Sequence, residues 1–240
     1  MMQSISVKNF KPVASIKNGN IVDIGVNAPG GWSAGKELIY LFMNGMGYVN
    51  FGEMALEGFA LPTVDTYFDN PAEVCLASML NEKKIGEHTM IGPDTWGEDN
   101  FCYFETLEVK PDLSQKTDQT IIVASPLSLV SAIYNSALVV PLAVKKLVNM
   151  GVNLEQIEWA WGSSPLATLS ELPDLVAMRK EAALCYGGVV SIWLRVEDKL
   201  LQDIVNKWEG LGEIRLHNLP TAKTYVGGKL DLKKLSEKIL

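Results

Sequence analysis

Arginine and histidine are scarce in this chain, and the scarcity removes several functions at once. Among 240 residues there are only three Arg (Arg179, Arg195, Arg215) and two His (His88, His217). Binding to a phosphate backbone needs clustered cations, so nucleic acid is not an expected partner. The three cysteines, Cys75, Cys102 and Cys185, are far apart, odd in number and without a C-x-x-C pair. A structural zinc site takes four close ligands, so no metal site is expected. The same count at this length argues against a disulfide scaffold, and points to reduced, mostly buried thiols in a cytoplasmic protein. The opening "MMQSISVKNF" lacks the apolar run of a secretory leader.

What is present suits a folded globular chain of one or two domains: 48% of residues are hydrophobic and 20% charged. The formal net charge of −7 is uneven, with 15 acids against 7 bases in residues 1–115 and 13 against 14 in residues 116–240. One stretch, Gln119 to Val144, carries no charge and is long enough to span a bilayer. Serines, Asn135, Pro126 and Pro141 interrupt it, so it reads as a buried strand followed by a buried helix, not as a membrane span. Pro141 stands out inside this run, because a proline in a helix interior costs about 3 kcal/mol. A kink is expected there, with Pro141 at the first position of a second helical segment.

Turn and cap signals give the layout. A turn at Asn18-Gly19 leads to a strand near Ile21–Val26, a loop with Gly30-Gly31, and a helix from Ser33 to Asn44, capped by Ser33 and ended by Gly45 or Gly47. "LPTVDTYFD" alternates as a strand, and "NPAEVCLASMLNEK" is a helix with Asn70 as N-cap and Pro71 behind it. A strand over Phe101–Val109 and a polar linker from Lys110 to Asp118 follow. Thr120–Ala124 is the next strand, and a Ser125-Pro126 corner caps the apolar helix, which Gly151 ends. Then come a strand "IEWAWGSS", a helix "LSELPDLVAMRKEA" interrupted by Pro173, a strand "GGVVSIWLRVE", a helix "DKLLQDIVNKWEGL", a strand "AKTYVGG" and a last helix "LKKLSEKIL". This is an α/β (mixed α+β) chain with two lobes and a cleft between them, a common place for ligands. The lobes are expected at 1–115 and 116–210, with 211–240 packing back on the first.

Few residues offer chemistry. Gly30-Gly31 before a helix, and Gly187-Gly188 before a strand, could expose backbone N–H groups to an anion, or simply make tight turns. Ser128, Ser131 and Asn135 fall on one helical face. They either satisfy the helix itself or line a pocket, with Ser163 and Ser164 as neighbours. Glu53 and Glu57 share a face if their stretch is helical, and a carboxylate pair can do acid–base work. Trp159 and Trp161 alternate onto one side of a strand, for stacking on a flat ring or for core packing.

Five blocks together resemble the methenyltetrahydromethanopterin cyclohydrolase family of archaeal and methylotroph one-carbon metabolism. They are "NGNIVDIGVN…GGWSAG", "FALPTV" with "DNPAEVCLAS", "VASPLSLVSAIYNSALVV", "EAALCYGGVVSIWL" and "KTYVGGKLDLKKL", in order from about residue 18 to 235. The resemblance implies a two-lobed subunit, a pocket between the lobes, a homo-oligomer (a trimer) and a tetrahydromethanopterin-type pterin as ligand, with no further cofactor. The residues expected to bind ligand are Asn27, Gly30, Gly31, Ser128, Ser131, Asn135, Trp161, Ser163, Ser164, Tyr186 and Gly187. The family opens a cyclic methenyl group with an Arg and a Glu on the central segment, and those places here hold Leu138 and Pro141. The usual cyclohydrolase activity is therefore expected to be absent. Three readings remain: a protein that keeps the pocket and binds a pterin or one-carbon carrier, or serves its synthesis; an enzyme with relocated chemistry through residues such as Glu53, His88, Asp94 or Tyr186; and a non-catalytic subunit of a one-carbon enzyme complex.

Overall fold

A computed structural model describes residues 15–17, 20–56, 58–93, 100–109 and 117–239. The strands, in chain order, are β1 (Ser15–Lys17), β2 (Ile21–Gly25), β3 (Gly47–Leu56), β4 (Phe59–Phe68), β5 (Glu82–Ile85), β6 (His88–Ile91), β7 (Phe101–Glu105), β8 (Thr120–Ala124), β9 (Ile157–Pro165), β10 (Val189–Leu194), β11 (Glu213–Asn218) and β12 (Lys223–Gly228). They form two six-stranded mixed sheets, ordered β1-β2-β8-β7-β6-β5 and β12-β11-β10-β9-β4-β3. In the first, β8 lies parallel to both β2 and β7. In the second, only β10 and β11 run parallel.

The helices are α1 (Trp32–Met43), α2 (Pro71–Val74), α3 (Leu129–Ala137), α4 (Val139–Asn149), α5 (Pro173–Gly187), α6 (Asp198–Asn206) and α7 (Leu232–Ile239). Buried residues of α1, α3 and α4 share one core with both sheets, from Ile24 and Ile122 on one side to Val64, Ile192 and Leu216 on the other. That explains the charge-free run: α3 and the start of α4, up to Val144, bury nearly every face and leave no place for a charge, and Lys145 and Lys146 come only where α4 reaches the surface. The combined segment Leu129–Asn149 is long and apolar enough to cross a membrane, but it is mostly buried within this core.

The two halves of the sequence are not two halves of the molecule. β8, from the expected second lobe, sits between β2 and β7, while β4 of the expected first lobe pairs with β9. Each sheet thus draws strands from both sides of residue 115, and the division at 115/116 cuts through a sheet. The C-terminal α7 does pack back on early residues, with Leu235 and Ile239 against Leu56 and Leu61, and also against Ala183 of α5.

Several local expectations change for identifiable reasons. Ser33 lies inside α1, whose N-cap is Gly31; the helix ends where Asn44 turns left-handed at φ 47°, one residue before Gly45. Residues 47–56, with Glu53, form a strand, and Glu57 and the Asn18-Gly19 turn fall outside the described residues. Asn70 caps α2 as expected, its side chain accepting from the Glu73 N–H. Pro173 does not interrupt a helix but begins α5.

The kink in the apolar run is present but displaced. The helix breaks at Leu138, and Pro141 occupies the third position of α4, not the first. Its missing N–H still belongs to the first-turn set that has no intrahelical partner, so the proline is tolerated.

The corner before α3 also differs. Ser125 and Pro126 form a turn, and Ser128 is the N-cap, its Oγ accepting from the Ser131 N–H at 3.2 Å. Ser128→Ala is therefore expected to cost about 1 kcal/mol. Ser125→Ala should cost less, since its Oγ accepts only from the Leu127 N–H within a turn. Urea unfolding of the two variants ranks them, and the reverse order would return the cap to Ser125.

Candidate functional site

The first sheet, α3 and α5 line an open pocket of about 560 Å³. Its walls are largely apolar, with Ile91, Phe104, Leu138, Val176 and Leu184, and three charged residues reach it: Glu105, Lys180 and Glu181. Glu105 is the last residue of β7. Phe101, Tyr103 and Glu105 alternate onto one strand face, and the first two are buried in the core shared with the helices. Glu105 therefore continues that face to the point where α3 begins. Lys180 shares its stripe of α5 with Val176, Ala177 and Leu184, three or four residues away, and all of them line the cavity.

These two side chains meet. Lys180 Nζ lies 3.4 Å from Glu105 Oε2 and also donates to Ser131 Oγ. Ser131 Oγ and Tyr103 Oη donate to Glu105 Oε1, the latter at 3.1 Å. The Asn135 amide donates to the Lys180 carbonyl at 3.2 Å, tying α3 to α5. Lys180 is only 9% exposed. Burial lowers the pKa of its ammonium, and Glu105 opposes that shift without cancelling it. Burial, and then the Glu105 charge, push the Tyr103 and Tyr134 hydroxyls well up, so both stay protonated donors. The site thus has a carboxylate that collects protons from three donors and an amine with reduced hold on its own.

Three of the residues singled out in the sequence lie here: Ser131 bonds to both charges, while Asn135 and Leu138 line the cavity. Ser128 sits at the start of the same helix as its cap. The others are elsewhere. Asn27 is tied to Asp23 across the loop after β2. Gly30 has φ 46°, and a Cβ there would lie 2.4 Å from the Ile24 carbonyl, so this glycine makes the turn. Gly31 is extended at the start of α1, with open space around it. Ser163 and Ser164 lie on β9, and the buried Ser164 hydroxyl has no hydrogen-bond partner among the described residues. A Cβ on Gly187 would lie 2.5 Å from Pro165, and one on Gly188 2.6 Å from the Leu184 carbonyl, so this Gly-Gly pair serves close packing. Tyr186 packs beside α7 under Lys234.

Trp159 and Trp161 do share a face of β9, with Tyr67 and Trp193 around a separate hollow of about 420 Å³ on the second sheet. Trp193 stacks on Trp159 at 6.0 Å and on His217 at 4.6 Å. Of the alternative chemical residues, Glu53 is exposed on β3, His88 leans on Phe104, and Asp94 falls outside the described residues. Burial raises the Cys75 thiol and pushes Cys102 up to about 12, so neither is a ready nucleophile. No cluster able to hold a metal ion occurs among the described residues.

Asp23 organises the β2 loop. It is fully buried, and its carboxylate accepts from the N–H groups of Gly25, Val26 and Asn27 and from the Asn27 amide. Burial alone would raise its pKa, but these donors outweigh it and the net shift is downward. Asp23→Ala is expected to cost about 2–3 kcal/mol by leaving buried donors unpaired. A depressed folded-state pKa stabilises above the unfolded value of about 4 and loses that contribution as pH falls. The gap between wild type and variant should therefore narrow in unfolding curves taken below about pH 4. A gap independent of pH would mean that the charge is not what holds the loop.

The missed residues, Lys180 and Glu105, lie 75 positions apart. A family model described as Cyclohydrolase (MCH) matches residues 6–88 and 109–237. The methenyltetrahydromethanopterin cyclohydrolase of Methanospirillum hungatei is 25% identical over 233 residues, covering 82% of this chain and 74% of that protein. Its counterpart in Methanoregula boonei is 23% identical over 206 residues, covering 72% and 66%. That in Methanosphaerula palustris is 25% identical over 227 residues, covering 80% and 72%.

Proposed function

The chain belongs to the cyclohydrolase (MCH) family, and on that premise we propose that it takes a tetrahydromethanopterin-type carrier, or a precursor of one, into the Lys180–Glu105 cavity and acts on it by acid–base chemistry of its own. The observation that carries this reading is a single juxtaposition. Leu138, which the resemblance puts at the place of the family's Arg, lines the same cavity as Lys180 and Glu105, and Ser131 bonds to both of those charges. A cation and a carboxylate have been lost from the helix, and another such pair enters the cavity from α5 and β7.

The pair has the parts that proton transfer needs. Glu105 accepts or returns a proton, Ser131 touches both partners, and Lys180 supplies a second group able to exchange one. Leu138 and Pro141 offer neither charge nor base. Classical opening of a methenyl ring is therefore expected to run no faster with the protein than without it.

Calorimetric titration with tetrahydromethanopterin tests the reading. Wild type should bind, and Lys180→Met and Glu105→Gln should each bind about tenfold more weakly, the loss of one charge-assisted contact. Absence of binding at millimolar ligand would overturn the assignment of ligand. Methenyl-pterin hydrolysis well above the spontaneous rate would overturn the expected loss of the usual activity.

A further inference from the structure

The Lys180 cavity has a charge balance that narrows what the lysine does. Two carboxylates, Glu105 and Glu181, face one ammonium, Lys180. An anionic ligand would meet a net negative site, so Lys180 does not serve as an anion clamp. Its amine is buried, held by Ser131 Oγ, 3.4 Å from Glu105 and bordered by apolar Leu138, Val176 and Leu184. An amine with a carboxylate at hydrogen-bond range, a hydroxyl between them and apolar walls is the arrangement that favours addition to a carbonyl carbon.

We propose that Lys180 is a nucleophile that condenses with an aldehyde group, forming an imine inside this cavity. The proposal deepens the pterin reading by naming the chemical class that the site acts on, and it rests on the cavity being the reacting site. The resting ammonium first passes a proton to Glu105, directly or through Ser131. The neutral amine then adds to the aldehyde carbon. A C–N bond forms, the carbonyl oxygen becomes a hydroxyl, and the proton lost by nitrogen is the one gained by oxygen. Glu105 next delivers its proton to that hydroxyl, which leaves as water. The nitrogen lone pair closes the C=N bond, giving a protonated imine beside a carboxylate. No electrons are exchanged, and one water is released. Burial favours the first step, since it disfavours the charged amine.

The test is site-resolved reductive trapping. Intact protein is incubated at pH 7 with propionaldehyde and sodium cyanoborohydride, and alkylation of each lysine is followed over time by peptide mass spectrometry. Lys180 should be modified about tenfold faster than exposed lysines such as Lys223 and Lys234, although it is the most buried of the three, as expected of an activated amine. Glu105→Gln, checked for folding by circular dichroism, should remove that advantage by taking away the acid that expels water, even though losing the Glu105 charge leaves more of the amine neutral, while the exposed lysines react as before. Labelling of Lys180 no faster than of the exposed lysines overturns the proposal, as does an advantage that survives Glu105→Gln. The two readings fail separately. Rapid labelling in a protein that does not bind tetrahydromethanopterin would sink the pterin reading alone, whereas pterin binding with a slow Lys180 would sink the imine alone.

Discussion

Glu105→Leu is expected to cost about 2–3 kcal/mol of stability at pH 7, because it strands the Lys180 ammonium in an apolar cavity. Breaking a wholly buried pair costs about 3–5 kcal/mol. The lower figure applies because a third of the Glu105 side chain is exposed, against 11% of the Lys180 side chain. The variant also takes an acceptor from Tyr103 and Ser131. Glu105→Leu with Lys180→Met should recover most of the loss, since an apolar replacement for a buried ion pair is commonly neutral or favourable. The pH dependence has a defined sign. A lysine whose folded-state pKa is lowered destabilises the fold while the unfolded chain holds its proton. That penalty fades as pH rises toward the unfolded value of about 10.4. Without Glu105 the lowering is larger, so the deficit of Glu105→Leu should shrink between pH 7 and 10. Urea unfolding at both pH values checks this. With Lys180→Met measured as well, a double-variant loss equal to the sum of the two single losses would show that the two residues are not energetically coupled.

Lys180 and Glu105 could not have been picked out by spacing, and the reason is physical. Glu105 ends a strand of aromatic residues, "FCYFE", where one terminal acid looks like a solvated strand end. Lys180 lies in "VAMRKEAALCY", where charged and apolar residues surround the helix without a clear polar stripe. α5 carries no such stripe because it packs against α3, α7 and β9 together. The pair exists only because β7 pairs with β8, and β8 leads through one turn into α3. What was legible was local. Thr120–Ala124 is a strand with the expected ends, Asn70 and Pro71 start α2, and Gly151 follows α4 with φ 99°. Ser131 and Asn135 were legible as a polar stripe because small polar groups in a charge-free helix need partners. β3 was not, because Gly52 and Glu53 break the apolar alternation of a strand; β11 was missed although Ile214 and Leu216 alternate with Glu213, Arg215 and His217, because only two apolar residues carry its period. The two sheets interleave because pairings such as β4 with β9 are long-range, and sequence order does not encode them.

The largest stability loss from a single added carbon is expected at Gly212. A Cβ there would lie 1.8 Å from the Gly188 carbonyl oxygen and 2.7 Å from its carbon. These are backbone atoms, and that carbonyl already accepts the Glu213 N–H at 2.9 Å, at the start of the parallel β10–β11 pairing. Relief therefore means parting the two strands. Movement the other way is also blocked. Gly228, at φ 66°, is a neighbour so close that its own Cβ would meet the Gly212 carbonyl at 2.1 Å. Overpacking usually costs about 1–3 kcal/mol, and a clash with fixed backbone on both sides belongs at or above the top of that range. Gly212→Ala should lower Tm by about 10 °C, at roughly 2–4 °C per kcal/mol for a chain of this size. Gly31→Ala is the matched control. Gly31 is extended and nothing lies within 4 Å of its Cβ, so its change should stay within about 1 kcal/mol, the difference between Gly and Ala at a helix N-cap. Differential scanning calorimetry of both variants separates crowding from the general effect of replacing a glycine. Equal Tm values for the two would mean that β10 and β11 part at little cost, and that the start of this parallel pair is not a fixed point of the fold.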